Sequence, residues 1–147
     1  MPTYEHTVEI ARPIDEVFAF VTEPENYPKW QPSILELRPH RPGRLRVGSE
    51  ATEVRRLLGR EVETTWTCTE HAPPRRSTIE SGDGPVPFRG TFTLDAIDGG
   101  TRFTWTVETR AGGAVRLAGP LVGRATRREL EENTDRLKRI LEKGEAT

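Results

Sequence analysis

Residues 88–107 read Phe88-Arg-Gly-Thr-Phe92-Thr-Leu94-Asp-Ala-Ile97-Asp98-Gly99-Gly100-Thr-Arg-Phe103-Thr-Trp105-Thr-Val107. Phe88, Phe92 and Leu94 share one parity, and Phe103, Trp105 and Val107 share another. A two-residue period of this kind belongs to strands with one buried face. Asp98-Gly99-Gly100 supplies the positive-φ residues that a tight hairpin turn needs. The stretch therefore predicts an antiparallel hairpin with a large apolar face. Trp66 and Cys68 repeat the period on an earlier segment. Downstream, Leu117, Leu121, Val122, Ala125, Leu130, Asn133, Leu137, Ile140 and Leu141 recur at roughly helical spacing. One long helix is thus available to cover one sheet, and a sheet curved around a helix can keep a cavity between the two.

The rest of the chain extends this pattern. Tyr4, His6, Val8 and Ile10 alternate with Thr3, Glu5, Thr7 and Glu9, which predicts a half-buried strand over 3–10. Pro13, then Asp15 and Glu16, open a short helix whose face is Ile14, Val17, Phe18 and Val21. Pro24 and Pro28 limit a second helix, around Glu25 to Trp30, to a turn or two. Strands are expected over 33–39, 48–57, 60–71, 75–81, 86–97 and 101–110. A loop is expected at Arg41–Val47 and a tight turn at Leu58-Gly59. Gly119-Pro120 either starts or kinks the last helix. Its outer face pairs Arg128 with Glu132, Glu132 with Arg136, and Asp135 with Arg139.

Composition narrows the function classes. At 147 residues a single domain over 1–147 is expected, large enough to bury roughly 70% of its unfolded surface. A net charge of −1 argues against a nucleic-acid partner. The 19 Arg against 3 Lys read as a coding bias. One cysteine excludes an intrachain disulfide and suggests a reducing compartment. The N-terminus lacks a basic region followed by an apolar run, and no stretch approaches roughly 20 apolar residues. A soluble, cytoplasmic protein without stable membrane insertion is expected, as a monomer or homodimer.

Four stretches carry a family resemblance: Ala11-Arg-Pro-Ile-Asp-Glu-Val-Phe-Ala-Phe-Val, Asn26-Tyr-Pro-Lys-Trp-Gln-Pro, Gly99-Gly-Thr-Arg-Phe-Thr-Trp-Thr-Val-Glu, and Arg128-Glu-Leu-Glu-Glu-Asn with Leu137-Lys. With the order of elements, they make the chain resemble the START-like (SRPBCC) superfamily, nearest its polyketide cyclase/dehydrase and lipid-transport branch. The resemblance implies an α+β helix-grip fold, with a curved antiparallel sheet of about seven strands on a long C-terminal helix. It also implies a hydrophobic cavity for a lipid, polyketide, isoprenoid or aromatic metabolite. Fold does not settle function, so the site residues decide.

The candidate cavity lining is Val62, Thr64, Trp66, Cys68, Phe88, Phe92, Phe103 and Trp105 from the sheet, and Leu121, Val122 and Ala125 from the helix. Tyr27 and Trp30 either form a portal or staple the short helix to the sheet. Asn133 interrupts the apolar helix face, where it can hydrogen-bond a ligand or a strand carbonyl. Residues 82–87 and 112–120, rich in Gly and Pro, either gate entry or are ordinary turns. Glu53 and Glu63 are expected to face solvent, and His71 to be exposed. No general acid/base dyad and no metal-ligand spacing stands out, so catalytic residues are unassigned and no metal or cofactor is expected. Cys68 reads as a small buried hydrophobe. Non-covalent binding of a lipophilic molecule is the leading reading. A cyclase or dehydratase using the same cavity, and a protein-interaction module with a collapsed cavity, are the alternatives.

Overall fold

The computed structural model describes residues 3–57, 59–82, 87–109 and 119–144, leaving aside the side chains of 119 and 122. Seven strands form one antiparallel sheet: β1 (Thr3–Ile10), β2 (Ile34–Pro39), β3 (Glu50–Leu57), β4 (Arg60–Ala72), β5 (Arg76–Glu80), β6 (Phe88–Ile97) and β7 (Gly100–Thr109). Their order is β1-β7-β6-β5-β4-β3-β2. Between β1 and β2 lie α1 (Ile14–Val21), a 3-10 turn (Pro24–Asn26) and α2 (Tyr27–Trp30). The long helix α3 (Gly119–Lys143) lies against β1 and α2. Pro120 sits in its first turn, where a missing N–H costs nothing. The fold is the expected α+β helix grip.

The β6–β7 hairpin forms in the register that the alternation requires. Phe92 faces Trp105, Leu94 faces Phe103, and Ile97–Gly100 closes a two-residue turn. Gly99 takes φ +79°, which glycine adopts without strain. Gly100 has a different task. A Cβ there would collide with the Ile10 carbonyl, so glycine lets the end of β1 close onto β7.

The short helices are set by prolines and seated by rings. In α1, Val17, Phe18, Phe20 and Val21 are buried, while Arg12 donates to Glu16 at 2.7 Å on the outside. The Asn26 amide donates to the Phe20 carbonyl at 3.2 Å and fixes the turn into α2. Trp30 is fully buried there. Its ring centre lies 5.1 Å from Trp105, 5.7 Å from Phe92, and 6.3 Å from both Phe103 and Tyr27.

Along α3, Leu130, Thr134, Leu137 and Leu141 are buried on one stripe, with Asn133 beside it. Early in the helix, Arg127 lies 5.6 Å from the centre of the Tyr4 ring on β1. His6, also on β1, reaches Asp135 of α3 at 3.4 Å. The expected Arg128–Glu132 pair forms on the outer face at 2.9 Å. Among the described residues no helix is long and apolar enough to cross a membrane.

The Gly100 contact is testable by substitution. Gly100→Ala is expected to lower the free energy of urea unfolding by about 2 kcal/mol, the typical cost of an added methyl that only backbone movement can accommodate. Gly82→Ala, where an added Cβ meets nothing, is expected to change it by less than about 0.5 kcal/mol.

Candidate functional site

Between the inner face of β3–β7 and the middle of α3 lies a recess of about 120 Å³. Val62 (β4), Ile79 (β5), Phe88 and Phe92 (β6), Trp105 and Val107 (β7) and Leu130 (α3) make its apolar wall. Leu57, Phe88, Val107 and Thr126 are half-buried, while Tyr27, Gln31, Glu53, Thr64 and Phe92 are buried. The recess therefore has a half-exposed rim and a buried inner end. Gly90 brings bare backbone to the wall, with the Trp105 Nε1 3.7 Å from where a Cβ would stand.

The inner end is polar, and its charged cluster runs from the buried Glu53 and Gln31 outward to Arg55 and Glu129, each half-buried. Glu53 is 2% exposed. Its Oε2 accepts from Arg55 Nε at 2.8 Å. Arg55 Nη2 donates to Gln31 Oε1 at 2.9 Å, and its Nη1 donates to Ser33 Oγ at 3.3 Å and Glu129 Oε1 at 3.4 Å. Ser33 Oγ also donates to Glu129 Oε1. Strand β3, the residues after α2, and α3 thus meet in one charged cluster against an apolar wall.

Burial governs how these groups titrate. It pushes the Glu129 carboxyl above the usual carboxylate range, and the Arg55 charge pulls it only partly back. Burial would lower the Arg55 guanidinium, but Glu53 and Glu129 more than reverse that, so it stays firmly charged. Burial also pushes the Tyr27 phenol up, with the Glu53 charge adding to it. Tyr27 is therefore a neutral hydroxyl at any ordinary pH.

The structure brings six of the expected lining residues together around this recess: Tyr27, Val62, Thr64, Phe88, Phe92 and Trp105. The others lie elsewhere. Trp30, Phe103 and Cys68 are fully buried in the core behind it. Trp66 stacks on Tyr27 at 6.1 Å and borders a separate outer recess of about 500 Å³, beneath residues 39–51. That outer recess is larger, but His40, Arg41, Arg44, Arg46 and Glu50 on its wall are exposed, and it holds no buried charged residue. Asn133 is buried, with Oδ1 accepting from Arg136 at 3.0 Å.

Leu121, expected to face inward, is 57% exposed. It precedes Leu130 by nine residues, roughly half a turn away from the buried stripe at about 100° per residue. Ala125 is half-buried and off the wall for the same reason, roughly 140° from that stripe. The Val122 side chain, and the proposed gates at 83–86 and 110–118, lie outside the described residues.

Two other expectations change. Glu53, expected in solvent, is buried because it pairs across the strands with Thr64 on the inner face. His71 is half-buried, 5.3 Å from the Phe18 ring, with Nδ1 3.1 Å from Ser77 Oγ. The register of β4 on β5 shifts between Cys68 and Glu70, and Glu70 pairs with Arg76 at 2.7 Å outside. Arg55, Gln31 and Glu129 were not anticipated at the site. The turn expected from Leu58-Gly59 is the signal, since Leu57 opposite Arg60 puts Glu53 opposite Thr64 and Arg55 opposite Val62.

Comparison with known proteins places this geometry. Residues 1–142 match the family described as polyketide cyclase / dehydrase and lipid transport. Among solved structures, a protein from Thermus thermophilus is similar with a TM-score of 0.80 at 17% identity, over 94% of this chain and 95% of that one. A Nitrosomonas europaea protein gives 0.74 at 22% identity, over 99% and 97%. BexL, a di-domain ARO/CYC of the BE-7585A biosynthetic pathway, gives 0.71 at 20% identity, over 96% of this chain and 48% of that one. No curated protein matches the sequence. At these identities the structural likenesses carry the fold, and the family match carries the membership: the chain belongs to the polyketide cyclase / dehydrase and lipid transport family of the START-like superfamily.

Proposed function

We propose that this protein binds a lipophilic small molecule in the recess between its sheet and α3. The observation that carries the reading is an apolar wall of Val62, Ile79, Phe88, Phe92, Trp105 and Leu130 enclosing space that no side chain fills. The size of that space limits the occupant. Pockets for drug-sized ligands run from about 300 Å³ upward, whereas an apolar cavity of about 150 Å³ takes benzene. At about 120 Å³ the recess fits one ring or a branched isoprenoid end, with any longer tail leaving past the half-buried rim. One ring buries on the order of 200 Å², which at about 25 cal/mol per Å² favours binding by about 5 kcal/mol before ordering costs. The reading calls for no cofactor.

A second reading is supported by the two carboxylates of the cluster, Glu53 buried and Glu129 half-buried. A cyclase or dehydratase needs an acid or base with a shifted pKa beside an apolar substrate site. Glu129, raised by burial and partly held down by Arg55, has that character, and BexL is named as an ARO/CYC. In this reading a ring-sized segment of a polycarbonyl substrate lies against the apolar wall; protonated Glu129 gives its proton to the departing hydroxyl, which leaves as water, and the Glu53 carboxylate takes the α-proton as the C=C bond forms.

Native mass spectrometry of freshly purified protein, with solvent extraction of whatever it carries, tests the binding reading first. A stoichiometric lipophilic passenger is expected. Val62→Phe fills the recess from a half-buried position, so it is expected to weaken binding at least about tenfold while leaving the unfolding midpoint within a few degrees of the parent. Unchanged binding in Val62→Phe would move the site elsewhere. For the enzyme reading, turnover of a polycarbonyl substrate is expected to fall as pH rises through the raised Glu129 pKa, because the acid loses its proton. Glu129→Gln is expected to cut the rate by about 100-fold with binding retained. A flat pH profile, or full activity in Glu129→Gln, would remove Glu129 from the chemistry.

A further inference from the structure

The cluster at the inner end of the recess has an electrostatic asymmetry. Among the described residues, the charged groups on the wall are Glu53, Arg55 and Glu129. Two carboxylates face one guanidinium. That guanidinium is already committed: Nε is on Glu53, Nη2 on Gln31, and Nη1 on Ser33 and Glu129. The cation therefore has little left to offer an incoming anion. The carboxylates are less fully used. Glu53 bonds Arg55 through Oε2, and among the described residues no hydrogen-bond partner lies on its Oε1. On Glu129, Ser33 and Arg55 both use Oε1 and the Asn133 side chain also favours the charged form, so Glu53 Oε1 is the freer acceptor. The surplus is thus of acceptors and of negative charge, poorly screened at the buried Glu53 and more open to solvent at the half-buried Glu129.

A buried, unbalanced carboxylate is costly unless something compensates it. An anionic ligand would add like charge to that deficit. A purely apolar ligand would desolvate the carboxylates without replacing the lost hydrogen bonds. A ligand that brings its own donor repairs both.

Resting on the binding reading above, we infer that the recess selects a ligand whose buried end is about one ring in size and carries a non-anionic hydrogen-bond donor, a hydroxyl or an ammonium, and that it discriminates against a carboxylate there. Glu53 and Glu129 supply the acceptors. Arg55 holds both carboxylates in place and does not itself bind the ligand.

Four probes sharing one ring test this by calorimetric titration at pH 8: toluene, benzyl alcohol, benzylamine and benzoate. In the parent protein, benzyl alcohol and benzylamine are expected to bind at least about tenfold more tightly than benzoate, the effect of one charge-assisted hydrogen bond. In Glu53→Gln/Glu129→Gln only the Arg55 charge remains, so the order is expected to invert, with benzoate above benzylamine. Should that variant not show a cooperative thermal transition, Glu129→Gln alone carries the test, and the benzylamine-to-benzoate affinity ratio is expected to fall at least about threefold. Benzoate matching benzylamine in the parent, or an unchanged ratio in a folded charge variant, would overturn the inference. Toluene binding as tightly as the donors would overturn it too, while leaving the recess as a binding site. Absence of binding by all four would overturn the recess itself, and the inference with it.

Discussion

The interior of this protein is organised by one indole. Trp30 is delivered to the middle of the grip by a four-residue helix bounded by prolines, and it is buried completely among Tyr27, Phe92, Phe103 and Trp105. Its Nε1 has no hydrogen-bond partner among the described residues. An unsatisfied buried donor costs about 1–3 kcal/mol, and burying a side chain of this size against four rings offsets more than that. Arg136 of α3 donates to the Trp30 carbonyl at 3.4 Å, which ties the short helix to the long one. Seating Trp30 fills the part of the grip next to β6 and β7. It also leaves Tyr27 and Gln31, four residues apart, to border the part that stays unfilled.

This packing separates two kinds of constraint in the same interior. The stripe of Leu130, Leu137 and Leu141 on α3, with Ile10, Leu94 and Phe103 on the sheet, is close-packed and supplies stability. The cluster of Glu53, Arg55, Gln31 and Glu129 serves stability poorly, since buried ion pairs are often no better than apolar replacements of the same volume. A charged cluster kept beside an apolar recess is more economically explained by what it does to an occupant than by what it does for the fold.

Much of the architecture was legible in the residues. Two-residue alternation at Phe88–Leu94 and Phe103–Val107, a turn at Asp98-Gly99, and prolines at 24 and 28 each act locally, so each could be read locally. The site was less legible for a physical reason. Whether a strand residue faces in or out depends on the pairing partner, and β3 carries a valine, Val54, on the outer parity while Glu53 and Arg55 take the inner one. Hydrophobicity alone points the wrong way there. The pairing of Leu57 with Arg60 fixes the true register. On α3, loose helical spacing points Leu121 inward, whereas its angle to Leu130 turns it outward. Trp66 and Phe103 could not be told apart from wall residues by sequence, because core and wall share one sheet face until the helix is in place.

The central claim is that the space between the sheet and α3 receives an apolar ligand. A crystal structure of the protein grown with iodobenzene, with data collected to locate the iodine by anomalous scattering, tests it most directly. The account predicts an iodine peak within van der Waals distance of Phe92, Trp105 and Leu130. A peak only beneath residues 39–51, or no ordered iodine in crystals saturated with the compound, would contradict it.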